Sequence, residues 1–275
     1  GTPATMRMIK VLVVEDSPVV REFLVSILGA DPDIRVAGTA RDGEEALEAV
    51  RRYRPDVITM DIHMPRLNGL EATRRIMETD PTPIVIVSGS EDPQEVVTTF
   101  DAMEAGALAV LRRPAGVGHT DHEATARELV QTVKLMAEVR VVRRWPRSRF
   151  GEPAPRAVEM GLAQAPAKLR IVAIGASTGG PPVLQTILAA LPKTFPAPVA
   201  IVQHMAAGFS RGFMEWLAKS SALPVHLATH GELMLPGHVY LAPDEMQMKV
   251  ARQERIVLAR DEPENGLRPS VSCLF

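Results

Sequence analysis

Acidic residues follow two apolar runs near the start of the chain, and their positions predict a shared cation site. Glu15 and Asp16 come directly after the run Ile9–Val14. Asp61 follows the run 56–60. The carboxyl ends of neighbouring strands in a doubly wound sheet open into one crevice, so these carboxylates should lie together. Carboxylates that lie so close together repel one another. A hard cation relieves the repulsion, and Mg²⁺ fits best because it uses one or two carboxylates and keeps waters.

Two further strand ends should bring a hydroxyl and a positive charge to the same crevice. Ser88 ends the fourth apolar run, and Arg113 follows the fifth. A carboxylate beside Mg²⁺, with a hydroxyl and a cation opposite, can attack phosphorus and form an acyl phosphate. Any one of these acids could be a solvated loop residue. Four converging strand ends favour phosphoryl chemistry instead.

A serine further along the chain lies where a predicted strand turns sharply into a predicted helix. The apolar run 169–174 leads into the small-residue segment Gly175–Gly180, which contains Ser177. Small residues permit the tight turn, and the amides at the start of the helix favour negative charge beside the hydroxyl. The next predicted strand, 197–202, leads to His204. Adjacent parallel strands would therefore place an imidazole base within reach of Ser177.

Other roles remain open for this glycine-rich turn. A phosphate cradle and a plain packing turn are alternatives to the nucleophile. Dinucleotide binding is disfavoured, because the segment lacks the G-x-G-x-x-G spacing and no acid ends the following strand.

Alternating strand and helix patterns must position the first group of residues. The sequence predicts strands over 9–14, 34–39, 56–60, 84–88 and 108–111, and helices over 18–28, 44–52, 70–79, 93–105 and 123–142. Nearly continuous apolar runs are typical of parallel strands that are buried on both faces. Five such units predict a doubly wound α/β domain over 9–142. Residues 1–8 are interpreted as a tag or N-terminal scar.

A second α/β domain is predicted after a linker. Periodicity fails over 143–168, where proline, alanine and arginine dominate, and this composition is typical of a linker. The rhythm resumes over 169–275. The predicted strands are 169–174, 197–202, 225–227, 238–241 and 256–258, and the predicted helices are 181–190 and 210–219. The sequence thus predicts two parallel-sheet domains.

Composition narrows the class of protein. The 275 residues are 46% hydrophobic, which is enough to form cores. The 31 basic and 33 acidic residues give a net charge of -2, which disfavours nucleic acid as a partner. No apolar run approaches a membrane span, so we expect no membrane insertion. The single cysteine, Cys273, indicates a reducing compartment, and we expect the protein in the cytoplasm.

The first domain resembles the receiver domain of two-component response regulators. The segments that carry the resemblance are Val14-Glu15-Asp16-Ser17, Met60-Asp61-Ile62-His63-Met64-Pro65 with Asn68-Gly69, Val87-Ser88 and Arg113-Pro114. The resemblance implies a flavodoxin-like fold in which Asp61 accepts a phosphoryl group from a histidine kinase. Ser88 and Arg113 are implied to contact that group. The implied Mg²⁺ ligands are Asp16, Asp61 and the backbone carbonyl of His63, with Glu15 acting through a water.

Two positions depart from the receiver pattern. Arg113 stands where the family usually has lysine, and Val110 stands at the usual aromatic switch position. Arginine keeps the charge but has a wider, planar head. We therefore expect altered phosphoryl contact and altered signal transmission.

The second domain resembles the catalytic domain of chemotaxis response-regulator methylesterases, the CheB type. The matching segments are Ile174–Pro181, Gln203-His204-Met205, Leu235–Pro243 and Arg268-Pro269-Ser270. The resemblance implies a Rossmann-like domain that hydrolyses methyl esters on glutamates of chemoreceptor cytoplasmic domains, and in many members deamidates receptor glutamines. Ser177 would be the nucleophile, His204 the base and Thr178 a lining residue, with no cofactor for the ester chemistry. It also implies that the unphosphorylated receiver covers the crevice of Ser177 and His204.

The acid that would orient the histidine is the main departure from the methylesterase pattern. In the family this acid lies beyond the Arg-Pro-Ser segment, whereas the sequence stops at Phe275. Asp244 and Asp261 do not lie in the family's motif. We expect either truncation or a loss of full esterase function, and triads without this acid lose roughly 10⁴ in turnover.

Two other functions compete with the methylesterase. One is a non-catalytic response regulator whose second domain only binds partners, which the missing acid favours. The other, a DNA-binding response regulator, is disfavoured because strands and a serine turn follow the linker where a helix-turn-helix would be needed.

Overall fold

The computed structural model describes residues 8–89, 93–142, 170–205, 207–261 and 269–274. The predicted linker lies outside the described residues, and so does the predicted tag apart from Met8. The elements of the first domain are β1 Ile9–Val14, α1 Pro18–Gly29, β2 Ile34–Ala40, α2 Gly43–Tyr53, β3 Val57–Met60, α3 Gly69–Thr79, β4 Ile84–Ser88, α4 Pro93–Ala105, β5 Ala109–Arg112 and α5 His122–Ala137. The elements of the second domain are β6 Val172–Ala176, α6 Gly180–Ala190, β7 Val199–Gln203, α7 Ser210–Ser220, β8 Val225–Leu227, β9 Val239–Leu241, β10 Gln247–Ala251 and β11 Arg255–Ala259.

The first domain is a five-stranded parallel sheet with strand order β2-β1-β3-β4-β5. Its three inner strands are buried on both faces: Leu12 and Ile58 pack into one core, and Val11 and Val57 into another. This explains the continuous apolar runs and confirms the prediction of a doubly wound sheet. Because β1 pairs with β2 on one side and β3 on the other, the chain reverses direction across the sheet at β1.

Helix α5 is shorter than its sequence pattern predicts. The predicted helix extended to residue 142, whereas α5 ends at Ala137. Its buried stripe is made by Leu129, Val133 and Met136, but Val139 and Val142 are exposed. The residues after Ala137 therefore have no apolar surface on which to continue a packed helix.

The second domain has a four-stranded parallel sheet, order β6-β7-β9-β8, and an antiparallel hairpin of β10 and β11. Helices α6 and α7 cover the face that carries Val199 and Ile201. The hairpin covers the other face, where Met248 and Ile256 pack against Tyr240. The predicted strand 256–258 thus belongs to the hairpin rather than to the parallel sheet. Strand β10 was not predicted.

The two domains share an apolar core through α4. Phe100 on α4 is 2% exposed, and its ring centroid lies 4.9 Å from that of Phe213 and 5.6 Å from that of Trp216, both on α7. At the rim of this contact, Gln185 Nε2 donates to Glu104 Oε1 over 2.7 Å. The docking of the two domains is therefore mainly apolar, with a polar edge.

Candidate functional site

The acids predicted to meet at the sheet edge do meet in the structure. Glu15, Asp16 and Asp61 each offer a carboxylate oxygen, and these oxygens lie within 4.8 Å of one another. The strand register explains the meeting, since the last residues of β1 and β3 lie opposite each other. Glu15 and Asp61 are buried, at 1% and 5% exposure, while Asp16 is exposed. The cluster therefore opens to solvent on one side.

Burial sets the electrostatics of this cluster. Burial, and after it the neighbouring Asp61 charge, raise the pKa of Glu15 to about 7 against the opposing effect of Arg113. Burial also raises the pKa of Asp61. Two buried carboxyls whose charged forms are disfavoured, beside a third exposed one, make an all-oxygen donor set suited to a hard divalent cation. The residues present thus fit Mg²⁺.

The predicted phosphoryl-contact residues lie at the ends of the next two strands of the sheet, Ser88 on β4 and Arg113 directly after β5. Arg113 Nη2 lies 3.1 Å from Glu15 Oε2, so the guanidinium reaches the acidic cluster. Ser88 is fully buried at the end of β4, and its carbonyl accepts from the Arg113 amide over 2.8 Å. The imidazole of His63 lies 3.6 Å from Glu95 and is directed toward α4. The role implied for the His63 carbonyl stays a prediction.

Ser177 and His204 lie at the ends of adjacent parallel strands, as the sequence predicts. Strands β6 and β7 pair with Ala176 opposite Gln203, and the His204 amide donates to the Ala176 carbonyl over 2.9 Å. Ser177 follows β6 directly and is exposed, whereas His204 is partly buried. The structure records no hydrogen bond between the Ser177 hydroxyl and the His204 imidazole, both of which it describes.

The turn after Ser177 depends on one glycine. Gly179 has φ 78°, a left-handed conformation that other residues rarely adopt, and it directs the chain into α6. The Gly180 amide then donates to the Ser177 carbonyl over 2.8 Å. Ser177, the predicted nucleophile, therefore lies at the positive end of an eleven-residue helix.

A cavity of about 330 Å³ lies between the segments of Ser177 and His204 and the first domain. Ser177, Thr178 and His204 line one side, and Val110 and Glu128 line the other. Burial lowers the pKa of His204, which favours the neutral imidazole that a general base requires. Burial raises the pKa of Glu128.

The described part of the chain holds no acid that orients His204. None of its carboxylates makes a hydrogen bond to the His204 imidazole. Asp244 Oδ2 instead accepts from the Ser210 hydroxyl over 2.8 Å, and Asp261 pairs with Lys249 over 3.2 Å. Neither acid is engaged with His204.

Sequence reasoning missed three residues around the cavity: Gln203, Glu128 and Phe100. Gln203 carried a signal, because it directly precedes the proposed base at a strand end. Glu128 and Phe100 lie on helices whose pattern does not reveal that a second domain packs on them.

The first domain's Arg112 also reaches the second domain. Its Nη1 donates over 3.3 Å to the carbonyl of Ala207, in the segment between His204 and α7. Of two adjacent arginines at the end of β5, Arg113 therefore reaches the acidic cluster and Arg112 reaches the second domain. Across the described ranges, no helix is long and apolar enough to cross a lipid bilayer.

Comparison with known proteins gives two family matches. The response regulator receiver domain matches residues 11–125, and the CheB methylesterase matches residues 172–275. A protein-glutamate methylesterase/protein-glutamine glutaminase from Nitrosospira multiformis is 67% identical, over 98% of this chain and 76% of its own length. A relative from Geobacter metallireducens with the same name, numbered 4, is 60% identical over 98% of this chain and 77% of its own length.

Solved structures include a similar receiver. The response regulator domain of Thermotoga maritima CheB is 39% identical to this chain, covers 49% of it and 99% of its own length, and superposes with a TM-score of 0.44. Both resemblances drawn from the sequence are confirmed by the family matches.

Proposed function

This chain belongs to the family of protein-glutamate methylesterases/protein-glutamine glutaminases, and from that membership we propose that it hydrolyses glutamyl methyl esters on chemoreceptors. The same site would deamidate receptor glutamines. The observation that carries the proposal is the placement of Ser177 and His204 on adjacent strand ends that face one cavity. The 67% identical relative supports the same activity and disfavours a non-catalytic regulator.

The proposed chemistry proceeds through an acyl-serine. Ser177 Oγ attacks the ester carbonyl while His204 takes the hydroxyl proton. His204 then gives this proton to the departing methoxide, which leaves as methanol. A water, deprotonated by His204, then attacks the acyl carbonyl; the bond to Ser177 Oγ breaks, His204 returns the proton to Oγ, and the glutamate is freed. The positive end of α6 beside Ser177 favours the negative charge of the tetrahedral intermediate, and Thr178 lines the cavity next to it.

The first domain is proposed to be the regulator. An Asp61 carboxylate oxygen attacks the phosphorus of a phosphohistidine on a histidine kinase, and the P–N bond breaks. Asp16, Asp61 and the His63 carbonyl would hold Mg²⁺, with Glu15 acting through a water. When bound, Mg²⁺ supplies neutralisation of the charge that builds up around the carboxylates and phosphoryl oxygens. Ser88 and Arg113 would contact those oxygens.

Phosphorylation is proposed to open the active site. Residues of β5 and α5 line the cavity of Ser177 and His204, so a docked first domain restricts the approach of a receptor helix. The proposed substrate is the cytoplasmic part of a receptor, outside the membrane, so the proposed activity is cytoplasmic as well. Nucleic acid is not a proposed partner.

The test is methanol release from receptor membranes that carry labelled methyl esters, with protein expressed from its complete reading frame. Mg²⁺ and a small phosphodonor should raise the rate. Ser177→Ala should lower the rate by at least about 10³. Asp61→Asn should keep the basal rate, lose the stimulation and fail to gain the mass of a phosphoryl group.

Two results would overturn the proposal. Hydrolysis that persists in Ser177→Ala would show that another residue is the nucleophile. Full phosphoryl gain by Asp61→Asn would show that the acceptor is a different residue.

A further inference from the structure

A buried amide connects the segments that carry the nucleophile and the base. Gln203, the last residue of β7, is 4% exposed. Its Nε2 donates over 2.9 Å to the carbonyl of Ser177 and over 2.9 Å to the carbonyl of His204. One side chain thus holds the backbone at both residues of the proposed catalytic pair.

The orientation of this amide follows from its partners. Carbonyl oxygens only accept hydrogen bonds, so the nitrogen of Gln203 must face them both. The side-chain oxygen is consequently turned toward Gly180, where a Cβ atom would collide with it. Glycine at this position is therefore required for the amide to fit.

The remaining oxygen makes a purely structural role for Gln203 a poor explanation. Gln203 Oε1 is buried and has no hydrogen-bond partner among the described residues. A buried polar atom without a partner is destabilising, so an apolar side chain of similar size would pack there at lower cost. What the amide offers in return is the pair of bonds to Ser177 and His204.

The strand ladder does not supply this link by itself. Its last bond is the one from the His204 amide to the Ala176 carbonyl, one residue before Ser177. Beyond this bond, the chain continues from Ser177 into α6, and from His204 into the segment before α7. The Gln203 amide extends the connection past the end of the ladder to the nucleophile itself.

We propose that Gln203 is a positioning residue that fixes the distance between Ser177 and His204. It acts on the pair through the two backbone carbonyls rather than through the hydroxyl or the imidazole. This inference rests on the proposed esterase function. Misplacement of reacting groups by about 1 Å can lower a rate by about 10².

The experiment compares Gln203→Met, which removes both donors at similar size, with Gln203→Glu, which places an acceptor against two carbonyls. Both are assayed with receptor methyl esters, Mg²⁺ and phosphodonor, at a temperature where circular dichroism shows each variant folded. We expect kcat to fall by about 10² with KM within twofold, because binding is kept while alignment is lost.

A pH series separates positioning from general damage. The carboxyl introduced by Gln203→Glu regains one donor when it is protonated, so the ratio of that variant's rate to the rate of Gln203→Met should rise toward acidic pH. The introduced carboxylate also acts on the neighbouring imidazole, so the titration of His204 is measured by NMR in each variant and each rate is divided by the neutral fraction of His204 before the ratio is taken. A buried carboxylate also makes stability depend on pH, so circular dichroism at every pH restricts the comparison to conditions in which both variants are fully folded.

A second readout does not use the ester reaction. The rate at which a fluorophosphonate modifies Ser177 should fall in Gln203→Met relative to the parent protein. A parent protein that the fluorophosphonate modifies at Ser177 but that releases no methanol would contradict the proposed function. The rate of Ser177 modification would then test the role of Gln203 by itself. The role of Gln203 is overturned if Gln203→Met stays within twofold of the parent in the rate of Ser177 modification. Where the parent shows turnover, kcat must also stay within twofold. A ratio that stays flat with pH overturns it as well.

Discussion

The imidazole of His204 is partly buried and faces no acid that hydrogen-bonds to it among the described residues. Burial disfavours the charged ring, which lowers its pKa. We therefore predict that His204 in the unphosphorylated protein titrates below the ordinary histidine value. It would stay neutral, and competent as a base, into mildly acidic solution.

The measurement is a long-range proton–nitrogen NMR correlation recorded across a pH series. The spectrum of His204→Gln identifies the resonance by its absence. Titration at or above the ordinary value would mean that a negative group outweighs burial, and His204 would then not be a base kept neutral by desolvation.

Single residues could be predicted from the sequence where a strand end marks them. Four of the predicted site residues directly follow apolar strands: Glu15, Asp61, Ser177 and His204. Parallel pairing places Glu15 beside Asp61 in the first domain, and Ser177 and His204 at adjacent strand ends in the second. Gln203 is different. Its neighbour drew attention to it, but sequence cannot show that a side chain at the end of β7 points back toward the turn after β6.

At the scale of elements, α4 joins the two domains around the ring of Phe100. Phe100 is buried among Phe209, Phe213 and Trp216 of the second domain. Removing a buried phenylalanine ring costs about 3–5 kcal/mol, part of which falls on the contact between the domains. Since about 1.4 kcal/mol changes an equilibrium tenfold, we predict that Phe100→Ala raises basal methanol release at least about tenfold without phosphodonor.

Hydrogen exchange on α7 and the radius of gyration in solution measure the same opening. Both should increase in Phe100→Ala. Phe23→Ala is the matched control, because Phe23 lies on α1 and its ring contact is with His122 in the same domain. Equal basal rates in Phe100→Ala and the parent would show that docking does not limit access to Ser177.

Elements with a strong apolar pattern were predicted well, and those with a weak pattern were not. The strands of the first sheet read as continuous apolar runs because both faces are covered. Strand β10 was missed because only Gln247 and Met248 are buried while the rest of it is exposed or partly exposed. The apolar pattern of β10, the antiparallel partner of β11, is therefore too weak to predict a strand from the sequence.

For the whole molecule, the docking of the domains buries an acid that the sequence places on the surface. Glu128 follows the helical pattern of α5 and looks like an ordinary solvent-facing acid in the sequence. In the structure it lines the cavity that holds Ser177 and His204. No sequence signal could reveal this, because the burial arises from packing between parts of the chain that are distant in sequence.

This position makes domain closure depend on pH. Burial raises the pKa of Glu128, so the closed arrangement binds its proton more tightly than an open one in which the carboxyl is hydrated. Closure is therefore unpenalised below the ordinary glutamate pKa. Closure becomes less favourable as the pH rises from the ordinary glutamate pKa to the raised pKa of Glu128 in the closed arrangement. Above the raised pKa, the full cost of burying the charged carboxylate opposes closure.

We predict that Glu128→Gln closes the protein more tightly at neutral pH, because glutamine has no charge to desolvate. Basal methanol release without phosphodonor should fall, and the radius of gyration should vary less between about pH 5 and 8 than in the parent. Glu123→Gln is the control, since Glu123 is exposed on the same helix. Other titrating groups contribute equally to parent and variant, so the difference between them isolates Glu128. If Glu128→Gln opens the protein, or if its pH dependence matches that of the parent, then the carboxyl remains hydrated when the domains dock and the cavity does not exclude it from water.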